Sequence, residues 1–283
     1  MKRPLPPLRR LLAACALAFG FWHPAASAQT PNPMPEWQYS GGVILEPYFV
    51  KEIPKWQVEA GAGTGMLPRY EGDNKYVFQS GPMIEVHYRD LYFLSLGEGL
   101  GANLLHGKGY RAGVALTYDL GRPEDAAAAL HGMGDIDPAG EIKLFAEWVP
   151  VFPLVLRVDA RRGIGGHQGA IADLSLYTPV AGSKHFFVLV GPSVTLVNHP
   201  FMDKYFGVSP GQSARTGYSE YNPRGGLKDA RLGITATWII DKNSKWMVHG
   251  LVAGERLLGD TLDSPILRTN AQYVGQLYLG YNF

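Results

Sequence analysis

The chain has 283 residues, with 26 basic against 25 acidic side chains, 35 glycines, 15 tyrosines and one cysteine. An even charge balance offers no basic surface to nucleic acid, and no stretch beyond the N-terminal leader is apolar for long enough to cross a membrane as a helix. Mean hydropathy is −0.07, which also fits a membrane barrel, because every second strand residue there faces a polar interior.

The leader comes first. Lys2, Arg3, Arg9 and Arg10 precede the apolar run LLAACALAFGFW, and Ala26-Ser27-Ala28 places small residues where a signal peptidase reads them. Residues 1–28 are therefore expected to be a secretory signal peptide, with cleavage between Ala28 and Gln29. Leu12-Ala13-Ala14-Cys15 has the form of a lipoprotein box, but too few apolar residues separate it from Arg10 to make the core such a signal needs. Cleavage after Ala28 removes Cys15, so the mature chain gains nothing from disulfides. Residues 29–54 are rich in proline and read as a periplasmic lead-in, within which Val43–Val50 is either a short added strand or a plug element.

From residue 55 onward, segments with alternating apolar and polar residues recur at the spacing of strands joined by turns and loops. The expected strands are Trp56–Met66, Tyr76–Tyr88, Leu91–Leu96, Leu100–His106, Tyr110–Leu120, Glu141–Trp148, Phe152–Arg161, Gly169–Tyr177, His185–Val197, Gly226–Ile239, Lys245–Leu257 and Ala271–Phe283. Their connections alternate between short (Arg89-Asp90, HGKG, VPVF, PVAGSK, DKNS) and mostly long, with the brief link near Gly97 an exception among the long set. Short turns at one end and long loops at the other are the asymmetry of an outer-membrane barrel. The fold expected is all-β: an antiparallel transmembrane β-barrel of about 12 strands, with 10 as the alternative, occupying residues 55–283, monomeric, in contact with outer-membrane lipid and with both termini periplasmic.

Several strands sort cleanly by face. In the fifth, Tyr110, Ala112, Val114, Leu116 and Tyr118 would meet lipid while Arg111, Thr117 and Asp119 face inward. In the seventh, Leu154, Leu156, Val158 and Ala160 alternate with Val155, Arg157, Asp159 and Arg161. A soluble barrel would put its apolar face inside, where these charges have no place. Pro82 and Pro192 imply local ladder breaks or bulges. A hairpin turning at Pro150 would set Lys143 opposite Asp159 and Glu141 opposite Arg161, and Asp173, Asp229 and Arg231 could extend the network. Such a ladder either fills and rigidifies the lumen or lines a narrow, selective pore.

The last strand carries its own signal. Phe283, Tyr281, Leu279, Leu277 and Tyr273 share one face, and an aromatic terminal residue after alternating apolar positions resembles the signal read by the barrel-assembly machinery.

Four segments extend that resemblance: TGYSEYNPRGGLKDARLGITATW (Thr216–Trp238), LLGDTLDSPI (Leu257–Ile266), LPRYEGDNKYVF (Leu67–Phe78) and GYRAGVALTYDLGRPED (Gly109–Asp125). Together they resemble the MipA/OmpV family of outer-membrane proteins, while Gly41–Pro54 departs from the pattern. The resemblance implies a scaffold that links a murein lytic transglycosylase to a bifunctional penicillin-binding protein at the cell wall. The alternative is a small-solute or ion channel.

Catalysis and cofactors find no support in the motifs. The histidines are scattered, no serine sits in a G-x-S-x-G context, and no His pair stands at metal-ligand spacing, so neither an enzyme nor a bound cofactor or metal is expected. In the loop His199–Arg224, the aromatics Phe201, Tyr205, Phe206, Tyr218 and Tyr221 either anchor a partner or fold over the barrel mouth. Asp260, Asp263 and Ser264 are expected to organise turns.

Overall fold

The structure, a computed structural model, describes residues 54–283 except 184 and 242. The Ala28–Gln29 cleavage point, Cys15 and the segment Val43–Val50 lie outside the described residues. Twelve strands follow: β1 (Trp56–Pro68), β2 (Tyr76–Tyr88), β3 (Tyr92–Ser95), β4 (Gly99–Gly107), β5 (Tyr110–Asp119), β6 (Ala139–Val151), β7 (Leu154–Gly165), β8 (Ala170–Gly182), β9 (Phe186–Val197), β10 (Gly226–Ile239), β11 (Trp246–Leu257) and β12 (Ala271–Asn282). Each pairs with its neighbours in sequence, and β12 returns to β1, with Glu59 opposite Asn282 and Met66 opposite Gly275. Closure is what hydrocarbon demands, since every backbone N–H and C=O there needs a partner.

The faces agree with the alternation in the sequence. Outward positions carry exposed apolar side chains such as Leu116, Leu144, Leu232, Val252 and Leu277, while Arg111, Lys143, Arg157, Asp159, Asp229 and Arg231 are buried inside. Trp56, Tyr110, Trp148, Trp238, Trp246 and Phe283 form an exposed aromatic ring at the end with the short turns, where a barrel meets the membrane–water interface. Tyr281 completes that ring, packed edge-on against Trp246 and Phe283.

Two expectations need correction. The β6–β7 hairpin turns at Phe152-Pro153, beyond Pro150, so Lys143 stands opposite Arg161, Phe145 opposite Asp159, and Glu147 opposite Arg157. A slip of two residues keeps every charge on the inner face and changes only the partners. Pro82 also causes no bulge: the β1–β2 ladder runs through Ala62–Pro82 without a shift. At Pro192 the β9–β10 ladder is continuous, but the β8–β9 ladder breaks as expected, with no pair between Ser175–Ser193 and Thr178–Val190. Bulges fall near Leu104, Val180 and Lys228 and between Trp148 and Val151.

The long connections gather at the other end of the barrel, here the loop end. The longest carries two helices, α1 (His199–Phe206) and α2 (Pro210–Thr216). Asn198 starts α1 by accepting the Phe201 N–H, with Pro200 in the first turn, where a missing donor is harmless. Ser209 and Gln212 form a reciprocal capping box that starts α2. Helix α1 buries Phe201, Met202, Tyr205 and Phe206 against Ile136, Ile171, Val197 and Leu257. A second apolar layer above it joins Tyr70, Leu130, Met133, Val208 and Ile266. Of the loop aromatics, Phe201, Tyr205 and Phe206 are thus buried at the loop end of the barrel, and Tyr218 and Tyr221 pack against the second layer.

Candidate functional site: the charged lumen

The inward charges form connected groups at different depths. Toward the turn end, Arg157 is 1% exposed. It grips Asp159 through Nε–Oδ2 at 2.9 Å and Nη2–Oδ1 at 3.0 Å, and reaches Glu147 and Glu98 at 3.2 Å each. Glu147 is shared, for Arg111 donates to its Oε2 at 2.8 Å and the Tyr177 hydroxyl to its Oε1 at 2.7 Å. Phe145 lies under the Arg157 guanidinium, 5.2 Å from ring centre. Charge-assisted, two-pronged pairs such as Arg157–Asp159 fix geometry as well as adding attraction.

Nearer the loop end, Arg161 donates to Asp173 at 2.5 Å and lies 3.6 Å from Glu141. Thr195 donates to the other Asp173 oxygen at 2.7 Å and accepts from Arg231 at 3.2 Å, joining this group to the next. There Arg231 holds Glu255 at 2.6 Å and Asp229 at 3.2 Å, while Lys228 pairs with Asp229 at 2.7 Å and with Glu71. On the opposite wall, His249 lies 2.6 Å from Glu59, and Ser95 donates to Glu85 at 2.7 Å.

One further cluster ties the network to the cap. Asp119 accepts the Tyr205 hydroxyl of α1 and the Gly121 N–H, both at 2.7 Å. Its ligand atoms, with those of Glu141 and His167, all lie within 4.8 Å of one another. That spacing could hold a metal, but His167 is set for another role. Its Nδ1 accepts the Gly169 N–H at 3.0 Å, so the neutral ring carries its proton on Nε2, facing Glu141 at 3.1 Å. A ligating histidine normally donates from its second nitrogen. A second acidic grouping, Glu71, Asp229 and Glu255, already has Lys228 and Arg231 within it.

Outside the membrane-spanning strands, burial dominates the titrating groups of the cap. Burial and nearby Asp73 push Tyr70 up to about 12, and burial lowers Arg122 to about 10. Burial, then Asp119, raises Tyr205. Arg122 donates to the Tyr205 carbonyl at 2.5 Å, and Tyr70 donates to the Ile266 carbonyl at 2.7 Å.

All ten lumen charges expected from sequence are thus inside. Glu98, Glu147, His167, Lys228 and Glu71 were not singled out. Parity of position was the available signal for Glu147, whereas Glu98, His167 and Glu71 lie in connections, where alternation is silent. Of the turn-organising residues, Asp260 accepts the Arg224 N–H at 2.8 Å and Ser264 donates to the Phe206 carbonyl at 2.6 Å. In the terminal strand, Tyr273, Leu277, Leu279 and Phe283 face outward and exposed.

The family model described as MltA-interacting protein MipA matches residues 60–283. The chain belongs to the MipA family. That match covers the barrel from residue 60 to its end and every lumen charge named above except Glu59, so the MipA fold is a twelve-stranded outer-membrane-type barrel in this member. No curated protein matches the sequence. Among solved structures, the chain is similar to the COG4313 outer membrane channel from Pseudomonas putida F1 (10% identity, TM-score 0.43, 81% of this chain and 96% of that one). It is also similar to the CymD monoaromatic hydrocarbon channel (10%, 0.41, 91% and 94%) and to a bacterial polysaccharide outer membrane secretin (11%, 0.40, 80% and 98%). Superpositions this loose say nothing about function.

Proposed function

We propose that this MipA-family barrel is a non-conducting scaffold of the outer membrane, without catalytic activity. Its short turns and both termini face the periplasm, where they present a surface to a murein lytic transglycosylase and, through it, to a bifunctional penicillin-binding protein. The filled lumen carries the non-conducting part of this reading. Arg157, Lys143, Asp229 and Lys228 are fully enclosed, and the apolar cap around Phe201 lies across the mouth. An ion would have to displace paired charges from one another, and breaking a buried pair costs about 3–5 kcal/mol. The partner class comes from the family description, and the orientation from the rule that short turns are periplasmic.

The test is recovery of the transglycosylase with the tagged barrel from cross-linked membranes. Wild type should retain it, and charge reversal of the exposed turn residues Arg89 and Lys108 should weaken retention while the barrel stays folded. Failure of folded wild type to recover any murein enzyme would contradict the reading. A small-solute channel is the second reading, favoured by the charge on the inner face, and it requires the α1 cap to move.

A further inference from the structure

The barrel wall is incomplete on one side. Strand β3 has only four residues, Tyr92–Ser95, and its hairpin with β4 makes its last contact with β2 where Leu96 N–H donates to the Ile84 carbonyl at 3.2 Å. On the far side, β4 pairs with β5 no higher than Leu100–Leu116, although β5 continues to Asp119. Toward the loop end from there, β2 has β1 beside it and, among the described residues, no second strand. Strands β2 and β5 are three strand spacings apart, about 14 Å, so a notch opens through the wall in the half of the membrane nearest the loops.

Behind the notch the wall is lined with glycine, unlike the packed wall of β6–β8. Residues 61, 63 and 65 of β1 and 81 of β2 point inward, in register with Glu59 and Glu85, and all four are glycines. Strand β12 covers Gly61, Gly63 and Gly65 closely, through its backbone, Tyr278 and Gln276, but no atom lies within 4 Å of where a side chain would start at Gly81, and that residue is exposed. The edges of the notch are apolar: Phe78 is 79% exposed, Leu116 60% and Leu100 56%. Tyr118 crosses its floor, its hydroxyl donating to the Leu96 carbonyl at 2.8 Å.

The loop-end aromatics are placed unevenly. Those facing outward (Tyr76, Phe78, Tyr118 and Tyr273) lie on β2, β5 and β12 around the notch, whereas the corresponding positions of β6 to β10 carry Ile142, Ile164, Leu174, Leu196 and Leu232. Tyrosines at that level suit the boundary between polar heads and acyl chains.

We propose that this notch admits one acyl chain of a lipid from the surrounding leaflet, laid over Gly81 with its polar head at the tyrosine rim. A second copy adding a strand at β2 is the rival occupant, but Pro82 removes a donor from that edge, as prolines do on edges that must not pair. An acyl chain needs no donors. The scaffold reading neither requires nor excludes such a lipid.

The test places a bimane fluorophore at Gly81→Cys, with the native Cys15 removed, in the folded protein reconstituted with lipids brominated along their acyl chains. Thr64→Cys, facing lipid, and Ser219→Cys, on an exposed loop, set the limits. Quenching by bromolipid at Gly81→Cys should reach at least half that at Thr64→Cys, while aqueous iodide quenches it less than it quenches Ser219→Cys. Quenching by iodide alone, quenching by neither, or self-quenching that grows with protein density would each overturn the proposal, the last in favour of a second copy. Gln276→Cys, facing the same glycine-lined wall from β12, repeats the reading should Gly81→Cys misfold.

Discussion

At the residue scale, Arg157 touches three carboxylates, Asp159, Glu147 and Glu98. Arg157→Ala removes a buried cation shared by three carboxylates, of which Glu147 keeps Arg111, so it should destabilise the barrel by about 3–5 kcal/mol, read as a lower denaturant midpoint for loss of the compact gel form. Arg157→Met keeps the packing over Phe145 and should lose less. Tyr70 supplies a pH signature for the cap. Its folded value is up near 12 against about 10 for a free tyrosine. Below pH 10 the hydroxyl is neutral whether the cap is open or closed. From there to pH 12 only the open form ionises, so the cap should loosen as pH rises through that window. Tyr70→Phe should flatten the dependence, measured as proteolysis of the loops. Which residues face inward was legible in the sequence, because side-chain parity survives a slip of two. Partners were not: Lys143 stands opposite Arg161 because the turn lies beyond Pro150, and nothing in the local pattern fixes where a turn rich in Pro and Val closes.

At the element scale, strands were the most legible because alternation repeats in each. Helix α1 was not, since a helix of eight residues with a proline in its first turn carries too little periodicity to stand out. Its aromatics were visible, and burial decided between covering the mouth and anchoring a partner. Gly169 explains the close fit, because a side chain there would sit 2.5 Å from Phe201. Phe201→Ala should cost the cap about 3–5 kcal/mol, seen as faster amide exchange across residues 199–221, while the strands keep their protection. Equal loss of protection throughout would mean that cap and barrel are one cooperative unit. The notch escaped the sequence for a different reason: the third strand was already expected to be short, as Leu91–Leu96, and alternation within a strand gives no sign of where its longer neighbour β2 is left unpaired.

For the whole molecule, an aromatic ring marks one interface, apolar side chains face outward between the ends, and buried charges compensate one another within. This is an inverted soluble protein, and its closure satisfies the backbone where water is absent. Membership of the MipA family was legible in loop motifs more than in strands: EGD beside the first loop and GDTLDSP before the last strand hold turns and the cap in place, as Asp260 and Ser264 do here. Strand alternation, by contrast, is common to every barrel. The central claim is that the lumen is closed. Single-channel recording of the refolded barrel in a planar bilayer tests it most directly, with folding verified by heat-modifiable gel mobility. Wild type should show no stable conductance steps. Ion-selective steps that shift when Arg157 or Asp229 is replaced would contradict it and make the lumen a pore.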